Sequence, residues 1–307
     1  MKAIASIIIP VHNRQEELEN LLLQLALQND PAFEVVIVDD GSEPPVQTDT
    51  IKERLPFSVV IKRHARRGGV GKARNTGVNA ANERLLIFVD SDGDIPDQDW
   101  FRKHIKLHGQ AKELAAAKGG DLCVVHSEVQ GIASTWWGKV DGYSNWYGST
   151  GPKTIAVRDR HVPTHNTSVE KEVFQRVGFF DEELEVLEDV EWGHRCLKQG
   201  ISVYYLPGAP VRHLDRSSFR AVWRHYERFG IFAPLVRKKL KQSVYSFLYP
   251  QGPFSAVLLF FPLTGMITLY ILLRWIFHRP RVLFYLPGLY LANVAFYVGL
   301  CKGLRKL

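Results

Sequence analysis

Residues 84–94 read RLLIFVDSDGD, an apolar run that ends abruptly in three aspartates within five positions. A short continuous apolar run with a polar end is the signature of a strand buried on both faces. The same unit recurs outward on both sides. Ala3–Ile9 is apolar and stops at Pro10, and Glu34–Val38 runs into Asp39-Asp40-Gly41-Ser42. Phe57–Ile61 and Leu122–Val125 are two further strands. Helical segments separate them: Glu16–Leu27, with leucines at 18, 21, 22 and 25, then Val70–Ala81 and Asp97–Ala117. This alternation predicts an α/β fold with a mostly parallel, Rossmann-like sheet flanked by helices. In such sheets the ligand sits beyond the carboxyl ends of the strands, where both acidic clusters fall.

Beyond residue 128 the pattern loosens. Gly131–Thr150 is rich in Gly, Ser, Trp and Tyr and reads as a long irregular segment, a place where function often resides. Helical character returns at Val169–Arg176 and Glu188–Lys198, followed by a short strand, Ser202–Leu206.

The chain has 307 residues, 46% hydrophobic and 23% charged, which excludes wholesale disorder. Three distant cysteines, at 123, 196 and 301, exclude a disulfide framework or a zinc cluster and fit reduced thiols. The net charge of +7 conceals two unlike parts. Residues 216–307 carry 14 Lys or Arg against one acid, Glu227, a net +13, which leaves −6 for residues 1–215. A pI near 9.2 first suggests nucleic acid. The basic excess instead flanks the most apolar part of the chain, which points to an anionic membrane surface and to no nucleic-acid partner.

That apolar part consists of Phe254–Leu273 and Val282–Leu300, uncharged runs of 20 and 19 residues separated by RWIFHRPR. Each is long enough to span a bilayer core. The flanks hold seven basic residues (237, 238, 239, 241, 302, 305 and 306) and the break three, Arg274, Arg279 and Arg281. That asymmetry places the flanks in the cytoplasm. A hairpin that enters without fully crossing, or arginines that snorkel, relieves the awkward arginine-rich turn. Upstream, Arg216, Arg220, Arg224 and Arg228 form one helical stripe, with Phe219, Trp223, Tyr226 and Phe229 on another face. That pattern suits a helix lying at a lipid surface. The expected organisation is a catalytic domain over 1–215, a basic interfacial segment over 216–250, and a hydrophobic hairpin with a basic tail over 251–307. The first ten residues read as a strand and not as a signal peptide.

Asp90 and Asp92 place two hard oxygen donors one residue apart at a strand end, around Ser91. Such donors suit Mg²⁺ or Mn²⁺ bridging to substrate phosphates; a merely solvated acidic turn is the plainer alternative. The segment Arg67-Gly-Gly-Val-Gly-Lys-Ala is not a phosphate-binding P-loop. Arg66 stands where the first glycine is required, and Ala73 supplies no hydroxyl.

Six blocks occur in order: SIIIPVHNR at 6–14, VVIVDDGS at 35–42, GGVGKARNTGV at 68–78, IFVDSDGD at 87–94, VGFFDEEL at 177–184 and LEDVEWGHRCLKQG at 187–200. This set, over roughly residues 3–215, resembles a family-2 glycosyltransferase of the GT-A fold, an inverting and membrane-attached member. The resemblance implies a donor pocket that includes Pro10, Asp40, Arg74, Asp90, Ser91 and Asp92, with Asp40 on the base or ribose. It implies that Asp90 and Asp92 hold Mn²⁺ or Mg²⁺, with His213 as a third ligand. Asp189 of the Glu188-Asp189 pair becomes the general base, in preference to Glu188, and Asp181 falls near the acceptor. Trp136 and Trp137, with Trp146 and Tyr147 near them, are candidates for stacking on an acceptor sugar or touching the bilayer; loop packing is the alternative. Asp94 is separated from the pair by Gly93, which leaves its role open.

Processive members carry a Gln-x-x-Arg-Trp block after the Glu-Asp pair. The corresponding stretch here begins Gly193-His-Arg-Cys, which implies one sugar per event. The resemblance thus implies an enzyme that uses a nucleoside-diphosphate sugar, UDP-linked in preference to GDP-linked, at the cytoplasmic membrane face. A lipid-linked sugar or glycolipid is the expected acceptor. Transfer to a polyprenyl phosphate, a non-catalytic sugar-nucleotide-binding membrane subunit and a nucleotidyltransferase are the alternatives.

Overall fold

Strand β1, Ala5–Val11, is buried along its whole length and lies between two parallel neighbours. The computed structural model describes residues 2–49, 53–146, 156–157, 162–240, 250 and 252–306. They fall into two compact units, residues 1–129 with 152–213, and residues 130–151 with 214–307. The segment 130–151 therefore groups with the C-terminal elements, a finer division than a boundary at 215. Tyr147 and residues 241–249 lie outside the described residues.

In the first unit the elements run β1, α1 (Gln15–Ala26), β2 (Phe33–Asp39), β3 (Val59–Arg63), α2 (Val70–Ala80), β4 (Leu85–Val89), β5 (Gly93–Asp94), α3 (Trp100–Ala116) and β6 (Cys123–His126). Next along the chain come β7 (Val129–Ile132) and helix α4 (Trp136–Asn145), which group with the second unit, and the first unit resumes with β8 (Ala156–Val157), β9 (Asn166–Glu170), α5 (Lys171–Val177), α6 (Glu188–Lys198), β10 (Ser202–Tyr205) and β11 (Val211–Leu214). Eight strands form one sheet in the order β3-β2-β1-β4-β9-β6-β10-β8. The β1–β2, β2–β3, β1–β4 and β6–β10 pairs are parallel. Strand β9 runs antiparallel between β4 and β6, and β8 is antiparallel to β10.

Strand β9 departs from the sequence expectation. Its residues, Asn166-Thr-Ser-Val-Glu, are polar except Val169, so no apolar run marks a strand that is nonetheless wholly buried. The helix expected from Val169 begins only at Lys171. A second departure is α4, which occupies the middle of the segment read as irregular. Thr135 starts it by accepting from the Gly138 amide, an N-cap contact that satisfies an otherwise orphaned donor.

Two apolar clusters sandwich the sheet. One joins Ile7, Ile9, Val35 and Ile37 to the leucines of α1 and to Trp100 and Phe101. The other joins Ile8, Val36, Val38 and Phe88 to Ala73, Phe174 and Trp192. Alternate residues of each strand serve opposite faces. Gly77 of α2 lies directly on Ile8, where a Cβ has no room, so α2 sits close on the sheet.

This packing opens a crevice. Strand β1 pairs with β4 only through Ala5–Ile8 but stays with β2 to Val11. Pro10, which has no amide to offer, lies just past the β1–β4 ladder, as proline requires in a strand. The strands separate there, at the point where chain order reverses.

Candidate active site

The crevice receives groups from several segments. The turn after β4 carries Asp90, Ser91 and Asp92, closed by a hydrogen bond from the Gly93 amide to the Asp90 carbonyl, 2.9 Å. Ser91 is buried. The two-residue β5 pairs antiparallel with β11, which sets His213 opposite Gly93. His213 Nε2 lies 3.4 Å from Asp92 Oδ1. His165, one residue before β9, lies with its Nε2 3.4 Å from Asp90 Oδ2. The two imidazoles meet edge-on at 5.5 Å. Asp90, His165 and His213 bring donor atoms within 4.8 Å of one another.

His165 is the residue that sequence reasoning missed. It stands in a polar stretch, Thr164-His-Asn-Thr-Ser, with no motif around it. Only the antiparallel entry of β9 beside β4 delivers it. Burial, foremost, pushes its pKa down, with His213 and Arg74 adding to this against the opposing pull of Asp90. A neutral imidazole is a metal donor. Asp90 is displaced the other way from what burial dictates: His165, Arg74 and His213 together outweigh desolvation and hold it at about 2.

Asp92 is also paired with Arg14, from the turn after β1, whose guanidinium is 43% exposed. Asp94, the open case, turns away from the pair. It accepts from Gln24 Nε2 at 2.7 Å and faces Arg212 at 3.7 Å, tying β5 to α1 and β11.

Arg74 lies buried on α2. Its Nη2 donates to Asp90 Oδ1 at 2.8 Å and its Nη1 to Glu188 Oε1. Two carboxylates keep its charge more firmly than usual, against the cost of burial. Glu188 and Asp189 open α6, where the helix N-terminus favours negative charge. The preceding Leu187 takes a left-handed φ of 66°, an uncommon conformation for a bulky residue and one concentrated at functional sites. Burial and the adjacent Asp189 charge push Glu188 up to about 7, with Arg74 offsetting part of this. Asp189 keeps one oxygen on the Val190 amide, 2.8 Å.

Asp40 is buried and fully engaged. Its Oδ1 accepts from the Gly68 amide at 2.8 Å and faces His64 Nδ1 at 2.7 Å, while Oδ2 accepts from the Gly69 amide at 2.8 Å. It thus shapes the loop that starts α2. Gly41, at φ 71°, permits the turn, since a Cβ there would collide with the backbone of Arg66 and Arg67. Asp39 faces away, caps Ser42 and Val46, and pairs with Arg63 at 3.1 Å.

Asp181 accepts from the Glu183 amide at 3.0 Å, in a turn whose backbone lies against Gly71 of α2. Asn75 fixes that turn by exchanging hydrogen bonds with Phe180 at 2.9 Å. Trp136 and Trp137 belong to the other unit. There Trp136 packs on Tyr285 at 5.6 Å and Trp137 on Phe219 at 5.0 Å. Trp146 donates to Asp215, 2.8 Å, in the same unit.

Comparison with known proteins decides the family. Residues 6–178 match the model described as glycosyl transferase family 2. The chain belongs to glycosyl transferase family 2. It is 26% identical over 231 residues to the glycosyltransferase AglE of Haloferax volcanii, covering 70% of each chain. It is 36% identical over 111 residues to the uncharacterized glycosyltransferase YfnE of Bacillus subtilis, covering 36% of this chain and 28% of that one. The chain therefore spans under a third of YfnE in that match. Among solved structures, TarS of Staphylococcus aureus (residues 1–349, in complex with UDP-GlcNAc) superposes with a TM-score of 0.53 at 17% identity, over 97% of this chain and 90% of that one. The mannosyltransferase PcManGT of Pyrobaculum calidifontis, in complex with GDP-Man and Mn²⁺, gives 0.56 at 14% identity, over 98% and 87%. At such identities the likeness is one of fold. This family-2 chain has the GT-A fold and is a glycosyltransferase, and its motif blocks lie in and around the β1–β4 crevice.

Proposed function

We propose that this enzyme is an inverting, metal-dependent transferase that moves a sugar from a nucleoside-diphosphate sugar, UDP-linked, to a hydroxyl of a membrane-associated acceptor such as a lipid-linked sugar or glycolipid. The observation that carries the reading is the convergence of Asp90, His165 and His213, with Asp92 against His213 at 3.4 Å, beside Arg74, which also holds Glu188, the neighbour of Asp189. Two carboxylates and two imidazoles are a donor set that Mn²⁺ accepts well and Mg²⁺ accepts through its oxygens. These four residues would hold the metal, which supplies charge neutralisation for the diphosphate as it leaves. The solved neighbours named above carry UDP- and GDP-linked sugars; both share the diphosphate that this donor set fits.

The chain's own residues divide the remaining work. Asp189 takes the proton from the acceptor hydroxyl as its oxygen attacks the anomeric carbon from the face opposite the departing phosphate. The bond to the nucleoside diphosphate breaks as the new glycosidic bond forms, with inversion. Arg74 holds Asp90 and Glu188 in place and puts a buried positive charge beside the site where negative charge grows. Arg14, exposed on one side, is free to exchange Asp92 for a donor phosphate. Asp40 fixes the 68–69 loop against the nucleotide, and Pro10 lines the crevice floor. Asp181 stands toward the acceptor. The tail holds the enzyme at the cytoplasmic membrane face, where such acceptors lie.

Titration calorimetry of UDP on detergent-purified protein, with Mn²⁺ and then with chelator, tests this. Binding is expected to require metal and to be lost in Asp92→Asn. Equal binding in chelator, or binding of GDP but not UDP, overturns the metal or the donor assignment respectively.

A further inference from the structure

The second unit holds α7 (Phe219–Leu240), α8 (Pro253–Ile276), a 3₁₀ turn (Pro280–Tyr285) and α9 (Leu286–Leu304), together with α4. Both hydrophobic helices are long and apolar enough to cross a bilayer. Their packing is very unequal. The apolar window containing α9 is 44% buried inside the protein, and that of α8 only 22%.

Helix α9 is enclosed at both ends by charged helices. Near its start, Gly288 abuts Val140 and Trp136 of α4 with no room for a Cβ, and Leu289 joins Val140, Val222 and Tyr226 in one core. Near its end, Gly299 and Gly303 lie against the Glu227 and Ile231 carbonyls of α7, and Gly230 of α7 meets the Phe296 carbonyl. Lys302 pairs with Glu227 there. Glycines at these contacts let two helix backbones touch. From the core that Val222 and Leu289 share near the helix starts to the Gly303–Ile231 contact near the end of α9, α7 runs alongside α9 for most of its length.

That geometry decides the topology. A 19-residue α9 is about 28 Å long, close to the thickness of a bilayer core. If α9 crossed, α7 would cross beside it. Helix α7 carries Arg220, Arg224, Glu227, Arg228, Arg237, Lys238 and Lys239, and each charge costs about 2.5–3.5 kcal/mol at a membrane centre. The bend between the hydrophobic helices is also tied to α4: Trp275 Nε1 donates to the Tyr143 carbonyl at 2.8 Å, and Tyr285 packs on Trp136 and Tyr143. Helix α4 holds Lys139 and the fully buried Asp141, which pairs with Arg216 at 3.1 Å. A spanning hairpin has no place for such groups at its far turn.

Helix α8 is different. Phe254, Val257, Leu258, Phe261, Leu269 and Leu273 form an exposed stripe along its whole length, with Phe261 73% exposed. Its inner side is occupied by α9, through Asn293 to Thr268 at 2.8 Å and Phe260 on Tyr297. So large an apolar face needs a cover. Basic residues stand beside it, Arg274, Arg279 and Arg281 at the bend and Lys302, Arg305 and Lys306 at the tail, within a segment of net +13.

We infer that the hairpin does not cross: α8 lies in one leaflet of an anionic bilayer with its stripe among the acyl chains, and α9 is a protein-core helix that roofs it. This rests on the membrane-attached reading above and replaces a spanning hairpin with a monotopic one. Snorkelling arginines and lysines at both ends then reach the same layer of headgroups.

The test uses the full chain in a Cys301→Ser background, since Cys123 and Cys196 are buried. Arg279→Cys and Lys306→Cys variants are probed with a membrane-impermeant maleimide in right-side-out and inverted vesicles. Both are expected to label from the same face, and Phe261→Cys carrying a fluorophore is expected to be quenched by brominated acyl chains. Labelling from opposite faces establishes a crossing hairpin and overturns the inference. Flotation of purified protein with phosphatidylcholine vesicles, with and without phosphatidylglycerol, checks the reading beneath it: binding is expected to rise with the anionic lipid and fall with salt. No flotation with either, or a Phe261→Cys that crosslinks to a second copy and ignores lipid, means that protein covers the stripe, and overturns both. None of these readouts depends on sugar transfer.

Discussion

Arg74 sits between Asp90 and Glu188, donating to Asp90 Oδ1 at 2.8 Å and to Glu188 Oε1 from its other terminal nitrogen. One buried guanidinium thereby couples the strand-end carboxylates to the first turn of α6. The fork geometry matters, because an ammonium is a single point charge and does not span two carboxylates in the same way. Removing one partner of a buried ion pair typically costs about 3–5 kcal/mol, since it strands the other charge. Arg74→Gln is therefore expected to lower the melting temperature and abolish transfer. Arg74→Lys is expected to recover part of the stability and little of the turnover. Equal turnover in Arg74→Lys and wild type, with donor saturating, refutes the bridging role.

Asp189 and Glu188 are adjacent acids with different surroundings. Glu188 is committed to Arg74, whereas Asp189 accepts from the Val190 amide at 2.8 Å in the first turn of α6. Asp189→Asn is expected to lower kcat by about 10²–10⁴-fold, the usual weight of a general base, with UDP affinity unchanged. Glu188→Gln is expected to show a loss of thermal stability as well, through Arg74. Rapid turnover in Asp189→Asn moves the base elsewhere.

His165 stands 3.4 Å from Asp90 on the side of the crevice that β9 supplies. Its loss leaves Asp90, Asp92 and His213 as donors. His165→Ala is expected to weaken Mn²⁺ affinity by about tenfold or more, the scale on which metal-site partners act, while the melting temperature in chelator stays close to that of wild type. Direct titration of Mn²⁺ by its paramagnetic signal reads this without sugar transfer. An unaltered Mn²⁺ isotherm removes His165 from the metal site.

Asp40 accepts two backbone amides and faces His64, so much of its acceptor capacity is committed to the loop. Each charge-assisted hydrogen bond is worth about 1.5–3 kcal/mol, and an amide would present N–H to N–H. Asp40→Asn is expected to raise the donor KM by about tenfold to a hundredfold, with kcat altered far less. A fall in kcat alone, with KM constant, contradicts a loop-shaping role.

The sequence carried the parallel half of the fold because those strands are apolar on both faces: IIIPV, VVIVD and LLIFV announce themselves. Strand β9 does not, since a strand rich in Thr, Ser and Asn looks like a loop until its neighbours bury it. With β9 went His165, whose role depends on an antiparallel neighbour that periodicity does not reveal. Helix α4 was obscured by glycines at 138 and 142, which lower helix propensity and leave only Thr135 as a start signal. Asp90, Asp92, Arg74 and Glu188 were legible from motif order. That Arg74 links two of them was not, because the contact joins residues 114 positions apart.

Glu170 gives the fold a measurable acid response away from the crevice. At the end of β9 it faces His108 Nε2 at 3.3 Å and Lys112 Nζ at 3.0 Å on α3. Burial works against its charge, but the His108 and Lys112 contacts outweigh it and lower its pKa from the ordinary 4.5 to about 2. A carboxyl depressed in the folded state stabilises the fold while ionised. That contribution is complete above about pH 4.5, the unfolded value, and is lost as pH falls toward about 2. At about 1.4 kcal/mol per unit it is on the order of 3 kcal/mol. Glu170→Gln is expected to melt several degrees below wild type at pH 7, with the two curves converging as pH drops below about 4.5. A melting difference that stays constant from pH 7 to pH 3 excludes the ionised carboxylate as its source, and leaves packing at the β9–α3 contact to account for it.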